Sequence, residues 1–302
     1  MVWLNLPCFR GQYQYMDNRH YLTPQEFRRM QLVELEILKE VDRVCRKNDI
    51  KYVIFCGTLL GAVRHKGYIP WDDDADIAML REDYEKFKSV SDQLNPEIAF
   101  FQDHTTDPEY RWGYAKVRRT GTSYIRLGQE HMNYKNGISI DIFPLDDVPL
   151  SLAGQLFQDL YCYCYRKILW SEVGKIQCKG LKRMWFKLIN HISVDTVYKR
   201  LERYSKKSNN SSANRVRCLL FPAYGKLYIK NPIRQRFGMP KEWFLEREEY
   251  DFEDCKLFGT KNYDAILKYV YDDYMTLPPE EQREQHAPLS YIDFGNAPLN
   301  QA

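Results

Sequence analysis

The first regular pattern in the chain is that of an amphipathic helix after Thr23. Pro24 suits the first helical position, and Glu26 stands three residues after Thr23, the spacing of a capping box. Apolar residues then recur at steps of three and four, so that one stripe of the helix faces a core. The pattern predicts a long helix over residues 24–47.

A strand, a glycine turn and a helix follow. Residues 51–56 form a short apolar and β-branched run typical of a buried strand, and Gly57 interrupts it before a helical stretch over residues 58–65. After an acidic loop, residues 74–80 predict a second strand and residues 83–94 a helix.

Three further strands are predicted over residues 111–119, 123–126 and 137–143. The third alternates strictly, so that its isoleucines share one face and Asp141 stands on the polar face.

Beyond residue 149 the pattern changes to helices, which are predicted over residues 152–169, 181–191, 195–207 and near 263–271. Strands first and helices later favour an α/β or α+β fold with a mixed sheet flanked by helices. We divide the chain into a core, residues 1–150, and a mainly helical, basic region packed on it, residues 151–302.

Composition adds little to this picture until charge is mapped along the chain. The 302 residues are 44% hydrophobic and 28% charged, which is ordinary for a globular protein, and the eight cysteines show no CxxC pair, so reduced structural thiols are expected. No run approaches the ~20 apolar residues that cross a bilayer, and the first residues do not resemble a signal peptide. We therefore expect a cytoplasmic protein.

The basic residues are concentrated in one part of the chain. Residues 166–236 carry 18 Lys or Arg against three acidic residues, although the net charge of the whole chain is only +3. Such a basic segment attracts an anionic polymer or an anionic membrane surface, for example at the inner face of the membrane. Solvated helix faces are the alternative explanation.

The acidic loop contains the clearest candidate chemistry. Residues two apart in a strand share a face, so Asp74 and Asp76 project together. If the strand of Asp141 lies beside them, three carboxylates crowd together and repel one another unless a cation neutralises them. Hard divalent ions such as Mg²⁺ or Mn²⁺ prefer oxygen ligands, and Mg²⁺ usually also binds substrate phosphates.

Gly57 and Thr58 add a phosphate site to this arrangement. A helix that begins there offers free backbone N–H groups to a phosphate, Gly57 lets the backbone approach closely, and the Thr58 hydroxyl is a further donor. A phosphate site next to metal-binding carboxylates is typical of phosphoryl transfer.

Three other interpretations of the acidic loop compete with this one. An EF-hand needs a glycine where Ile77 stands and a glutamate where Asp83 stands. A P-loop is not supported, because no GxxxxGK is present. A solvated acidic loop on the surface is the stronger alternative, but the order of strand, Gly-Thr, helix and Asp-x-Asp argues against it.

The sequence resembles the LicD family at these residues. The resemblance is carried by the stretches FCGTLLGAVRH (residues 55–65), IPWDDDAD (69–76), IDIFPL (140–145) and YDDYM with LPP (271–279). That family includes phosphocholine transferases, is similar to fukutin-related proteins, and has a nucleotidyltransferase-type fold. These stretches span most of the chain.

The resemblance implies roles for the residues at matching positions. Gly57 and Thr58 would contact the donor phosphate, while Asp74, Asp76 and Asp141 would bind one or two Mg²⁺. Asp141 would also deprotonate the acceptor hydroxyl. Asp72 and Asp73 are expected to support the site or to be solvated.

Basic side chains complete the candidate phosphate site. Lys116 and Arg118 alternate on one face of a strand and suit a pyrophosphate, with a solvent-facing position as the alternative. Arg64 follows the Gly-Thr helix and is also a candidate for phosphate binding, whereas we interpret His65 as a structural residue.

The reaction implied by the resemblance is transfer of phosphocholine from CDP-choline to a sugar hydroxyl of an anionic or lipid-linked glycan, of the teichoic acid or lipopolysaccharide type. The residues do not discriminate choline from ribitol or glycerol in a related CDP-alcohol. Two alternatives stay open, a non-catalytic protein that binds a nucleotide or polyanion, and a nucleotidyltransferase that uses a nucleoside triphosphate. Nucleic acid is not the expected partner, because the resemblance extends beyond the Asp-x-Asp motif.

Overall fold

The computed structural model describes residues 21–208, 212–220, 238–283 and 288–297. Helix α1 (Pro24–Lys47) has the predicted capping box, in which the Glu26 amide donates to the Thr23 hydroxyl oxygen (3.2 Å) and the Thr23 amide donates to the Glu26 carboxylate (2.9 Å). Its apolar stripe is buried, and Gln31 and Glu34 are buried with it.

A mixed sheet of seven strands receives the stripe of α1. Its strands are β1 (Val53–Ile54), β2 (Asp76–Leu80), β3 (Ala99–Gln102), β4 (Ala115–Arg119), β6 (Ser139–Asp147), β7 (Arg215–Arg217) and β8 (Met239–Pro240). The order along the sheet is β1-β2-β6-β4-β3, and β7 continues from the far end of β6 and pairs with β8. Strands β2 and β6 run parallel, and the other pairs are antiparallel.

Two small antiparallel pairs lie outside this sheet. Strand β5 (Ser123–Arg126) pairs with β11 (Leu289–Asp293), and β9 (Arg247–Phe252) pairs with β10 (Cys255–Thr260). The C-terminal half therefore contributes strands as well as the predicted helices.

The helices flank the sheet and continue beyond it. They are α2 (Cys56–His65), α3 (Arg81–Ser89), α4 (Leu152–Leu169), α5 (Ser171–Gln177), α6 (Gly180–Ile189), α7 (Val194–Ser208) and α8 (Tyr263–Tyr271). A second apolar cluster holds α4 against α7, with Cys162, Leu169 and Val197 among its buried members. The predicted fold class, a mixed sheet flanked by helices, is confirmed.

Three predicted boundaries around the acidic loop are wrong. The first strand covers only Val53–Ile54, the second begins at Asp76 and not at residue 74, and helix α3 begins two residues early and ends at Ser89. The Asp76 amide donates to the Thr58 hydroxyl oxygen (2.8 Å), a side-chain bond that lies just before the ladder with β1 begins. The preceding aspartates are therefore in a loop.

The register brings three predicted site residues together. Asp76 on β2 stands directly opposite Asp141 on the parallel strand β6, and Lys116 on β4 stands opposite Asp141 on the other side.

No helix in the described part of the chain is long and apolar enough to cross a membrane. Residues 209–211 and 221–236 of the basic segment lie outside the described residues.

Candidate active site

The acidic loop is fixed in place from two sides. The buried amide of Gln31 on α1 donates to the backbone carbonyls of Ile69 (3.2 Å) and Asp72 (3.0 Å). At the other end of the loop, Thr58 accepts from the Asp76 amide, and the Asp141 amide donates to the Ala75 carbonyl (2.8 Å). The loop is thereby held between α1, α2 and β6.

Three consecutive carboxylates converge in this loop. Asp72, Asp73 and Asp74 each offer an oxygen within 4.8 Å of the others, and we call these three residues the acidic triad. Asp72 is 9% exposed and Asp73 is 4% exposed, so of the two roles expected for them solvation is wrong, and support of the site stays a prediction. The three carboxylates can converge because they lie in the loop before β2, where side chains do not alternate between two faces as they do in a strand.

Asp76 and Asp141 lie next to the triad on the two parallel strands. Burial raises the pKa of Asp76 well above its ordinary value, and the nearby charges of Asp74, Asp141 and Asp72 raise it further. Among the described residues, Asp72, Asp73 and Asp74 are the group of acidic side chains whose oxygens all lie within 4.8 Å of one another. The assignment of Asp74, Asp76 and Asp141 as the metal ligands stays a prediction.

Lys116 forms an ion pair with Asp141. Burial lowers the pKa of Lys116, while the charge of Asp141 acts in the opposite direction. The side chain is largely buried beside the carboxylates, so the solvent-facing alternative is wrong for Lys116.

Glu34 is a carboxylate of this site that the sequence pattern did not single out. It lies on the buried face of α1, and its Oε2 has no hydrogen-bond partner among the described residues. Burial raises the pKa of Glu34 well above its ordinary value, and the charges of Asp74, Asp73 and Asp72 add to this. A charged residue inside the apolar stripe of an amphipathic helix was the signal that could have identified it.

The start of α2 is covered by Asp72. A Cβ built on Gly57 would lie 2.2 Å from Oδ2 of Asp72, so a larger residue at this position would displace the carboxylate. The first turn of a helix carries free N–H groups and a positive dipole end, which stabilise an anion. Asp72 thus occupies the side of Gly57 at which a donor phosphate was expected.

The remaining predicted phosphate ligands make contacts within the protein. Arg64 donates to the Tyr274 carbonyl (2.7 Å), which ties α2 to the segment after α8, and burial lowers its pKa. Arg118 is buried, donates to Gln102 and to the Gly137 carbonyl, and is therefore not solvent-facing. Their roles in phosphate binding stay predictions.

Arg126 on β5 is a basic residue of the site that the sequence analysis missed. Burial lowers its pKa, but the neighbouring Tyr124, Asp73, Tyr114 and Asp141 outweigh this, and the pKa is raised overall. The guanidinium therefore lies within electrostatic reach of the acidic triad, and β5, which carries it, pairs with the C-terminal strand β11.

Two aromatic residues also face the carboxylates. Burial raises the pKa of Tyr271 and of Tyr114 well above the ordinary value, and nearby aspartates contribute to both shifts. Tyr271 belongs to the C-terminal motif noted above, so this motif contributes at least one side chain close to the carboxylates.

This set of donors fits a hard divalent cation. All the convergent groups are carboxylate oxygens, the ligands that Mg²⁺ prefers. Glu34, whose Oε2 has no hydrogen-bond partner among the described residues, lies within electrostatic reach of the same cluster. A cation would relieve the repulsion that burial intensifies. Together with the basic groups of Lys116 and Arg126, the arrangement can bind an anionic phosphate ester beside a metal ion.

Comparison with known proteins agrees with this geometry. The family model of the LicD/FKTN/FKRP nucleotidyltransferase domain matches residues 49–190, which contain the acidic triad, Asp76 and Asp141. Over 277 residues the chain is 29% identical to the lipopolysaccharide cholinephosphotransferase LicD of Haemophilus influenzae, in an alignment that covers 88% of this chain and 97% of the relative.

Two shorter matches are with uncharacterized proteins. One, from Rickettsia typhi, is 48% identical over 59 residues, which are 20% of this chain and 19% of that protein. The other, from Rickettsia prowazekii, is 54% identical over 48 residues, which are 16% of this chain and 18% of that protein. The domain match and the nearly full-length similarity confirm the resemblance to the LicD family seen in the motifs and indicate that the chain is a transferase.

Proposed function

We propose that this transferase moves phosphocholine from CDP-choline to a sugar hydroxyl of a lipopolysaccharide-type glycan, with Mg²⁺ as its cofactor. The observation that carries the proposal is the nearly full-length similarity to a lipopolysaccharide cholinephosphotransferase. The buried carboxylate cluster supports it, because a site of this kind suits a cation and the phosphates that the cation binds.

In this proposal the acidic residues hold the cation and the basic residues bind the donor phosphates. When bound, Mg²⁺ would neutralise the donor phosphates and the charge that develops on the departing CMP. Asp74, Asp76 and Asp141 are the proposed ligands, and Asp141 also accepts the proton of the acceptor hydroxyl. Lys116 pairs with Asp141 and is placed to exchange that partner for a donor phosphate.

The start of α2 is the second anchor for the donor. The N–H groups around Gly57 and the Thr58 hydroxyl are donors of the kind that hold a phosphate. Because Asp72 lies against Gly57, a phosphate bound there requires this carboxylate to turn toward the cation. Arg126 supplies positive charge from the side of β5.

The acceptor is an anionic or lipid-linked glycan held near the basic segment at the inner face of the membrane. A teichoic acid precursor is an acceptor of the same chemical class. Phospho-ribitol or phospho-glycerol carried by CDP are the alternative groups for transfer, since the described residues include no side-chain arrangement selective for choline. A nucleotidyltransferase acting on a triphosphate is the alternative reaction.

A panel of donors tests the proposal. The protein is incubated with Mg²⁺, a lipopolysaccharide acceptor and one of CDP-choline, CDP-ribitol, CDP-glycerol, CTP or ATP, and the released nucleotide is measured. We expect CMP release with CDP-choline that depends on the acceptor and is lost in Asp74→Asn and Asp76→Asn. Asp92→Asn, which removes an exposed carboxylate outside the cluster, is the matched control. Turnover with a triphosphate alone and release of pyrophosphate would contradict the proposal.

A further inference from the structure

Helix α6 presents a row of large apolar side chains to solvent. Leu181, Met184 and Leu188 are 84%, 66% and 70% exposed, and Trp185 is 44% exposed. At ~100° per residue these four positions fall within an arc of about 100° on one face of the helix. Phe186 lies on the other side, is fully buried and packs against Trp170 at 5.0 Å between ring centroids.

The same stretch of chain is uniformly basic. Residues 173–194 contain five Lys or Arg and no acidic residue. Three of the five, Lys182, Arg183 and Lys187, lie on α6 itself and are exposed. An apolar face bordered by basic side chains is the pattern of a helix that lies in the plane of an anionic lipid surface.

Helix α4 presents a second row of apolar side chains to solvent. Leu156, Leu160 and Tyr163 are exposed by 47%, 63% and 47%, and their spacing places them on one face. The ammonium of Lys167 lies 5.4 Å from the ring centroid of Tyr163 and 5.9 Å from that of Trp170, whose ring in turn contacts α6. We call the exposed rows of α4 and α6 together the apolar face.

We propose that the apolar face docks the protein on a membrane that contains anionic lipids. Apolar side chains of this size and number are rarely left in water on one face of a soluble protein. The proposal deepens the proposed function, on which it rests for the lipid-linked acceptor. Binding to lipid, however, needs neither donor nor acceptor, so the two are tested apart.

Charge argues against two other occupants of the apolar face. A second copy would bring the same five basic residues of 173–194 against their equivalents. Residues 221–237 of this chain carry four Lys or Arg and no acidic residue, so they too have the wrong sign. Anionic lipid head groups have the opposite charge and supply the apolar layer beneath it.

The apolar face is attached to the rim of the active site. A Cβ built on Gly128 would lie 2.3 Å from the side-chain amide nitrogen of Gln177, so the end of α5 touches the turn that follows Arg126. Arg111, shortly before β4, contacts Glu172 of α5 and Asn190 after α6, at 3.5 Å each. Docking through α4 and α6 would therefore fix the orientation of the active site relative to the membrane.

Vesicle binding tests the proposal with the full-length protein. Wild type and the double variant Leu181→Glu/Leu188→Glu are mixed with vesicles of phosphatidylcholine, with or without phosphatidylglycerol, and sedimented. Leu160→Glu tests α4 separately. Leu245→Glu is the control, because Leu245 is a leucine of similar exposure (54%) outside the apolar face. Thermal unfolding confirms that each variant is folded.

We expect wild type and the control to bind anionic vesicles, and each leucine replaced in the apolar face to reduce binding by about tenfold or more. Binding should also weaken at high salt and on vesicles of phosphatidylcholine alone. The double variant should keep its transfer to a water-soluble glycan fragment but lose transfer to a vesicle-embedded acceptor. The proposal is overturned if wild type does not bind anionic vesicles, if the double variant binds equally well, or if the substitution only converts a dimer to a monomer.

Discussion

Replacing Asp73 with asparagine should stabilise the metal-free protein. Unit charges 4.8 Å apart, the limit of separation in the acidic triad, repel by about 3.5 kcal/mol at an effective dielectric constant of 20. Asp73 has two such neighbours, Asp72 and Asp74. The positive charge of Arg126, partial protonation, and solvent near the partly buried Asp74 offset part of the repulsion, so we expect a gain of about 2 kcal/mol, or ~3–6 °C in Tm.

The same substitution should weaken the response to Mg²⁺. A cation at 100 times its dissociation constant stabilises the wild-type protein by about 2.7 kcal/mol, and removal of one triad carboxylate should abolish most of that gain. The assay is thermal unfolding at pH 7.5 in chelator and in increasing Mg²⁺, for wild type, Asp73→Asn and the surface control Asp92→Asn. If Asp73→Asn lowers Tm in chelator, or keeps the full Mg²⁺ shift, then the triad is not a strained cation site.

Three further predictions concern the same site. Burial raises the pKa of Glu34, so the metal-free protein should lose stability as pH rises from about 4.5 through that raised pKa. In unfolding experiments at pH 5–8, Glu34→Gln should make the stability less dependent on pH. Gly57→Ala should displace Asp72 and reduce Mg²⁺ affinity and transfer by about 10–100-fold while the fold stays intact. Mn²⁺ titration measures the change in affinity. An unchanged affinity would refute the close contact between Gly57 and Asp72. If Lys116 leaves Asp141 to bind the donor phosphate, Lys116→Met should raise the KM for the CDP donor by about tenfold or more in initial-rate measurements. An unchanged KM would show that Lys116 only pairs with Asp141 and does not bind the donor.

Periodicity predicted part of the regular structure. The capping box of α1, the limits of α4 and α8, and the strand Ser123–Arg126 agree with the sequence prediction, because local spacing and cap residues determine them. Helix α5 and the strands β3 and β7 to β11 were not predicted. Strands β7 and β8 have only two or three residues, too few for a pattern, and they pair with residues distant in sequence.

The site was predicted in part for the same reason. The alternation around Asp141 placed this carboxylate near Asp76, and the register of β2 and β6 sets the two residues opposite each other. Asp74 was predicted on the same strand as Asp76 but lies in the loop before β2. Glu34 and Arg126 reach the site through tertiary packing of α1 and β5; the apolar stripe of α1 could have shown that Glu34 is buried, but not which residues it meets. The convergence of Asp72 and Asp73 depends on where β2 begins, and strand ends are set by partners across the sheet.

The strand that carries Asp141 is also fastened to the helices. Five residues further along β6, the buried Asp146 accepts from Arg81 (2.5 and 2.8 Å) and from Ser205 of α7. The next carbonyl, that of Asp147, accepts from Gln158 of α4 (3.1 Å). With α4 lying on a bilayer, the carboxylates would stand at one set height above the lipid. Transfer would then be limited to acceptor sugars whose link to the lipid anchor is long enough to span that height.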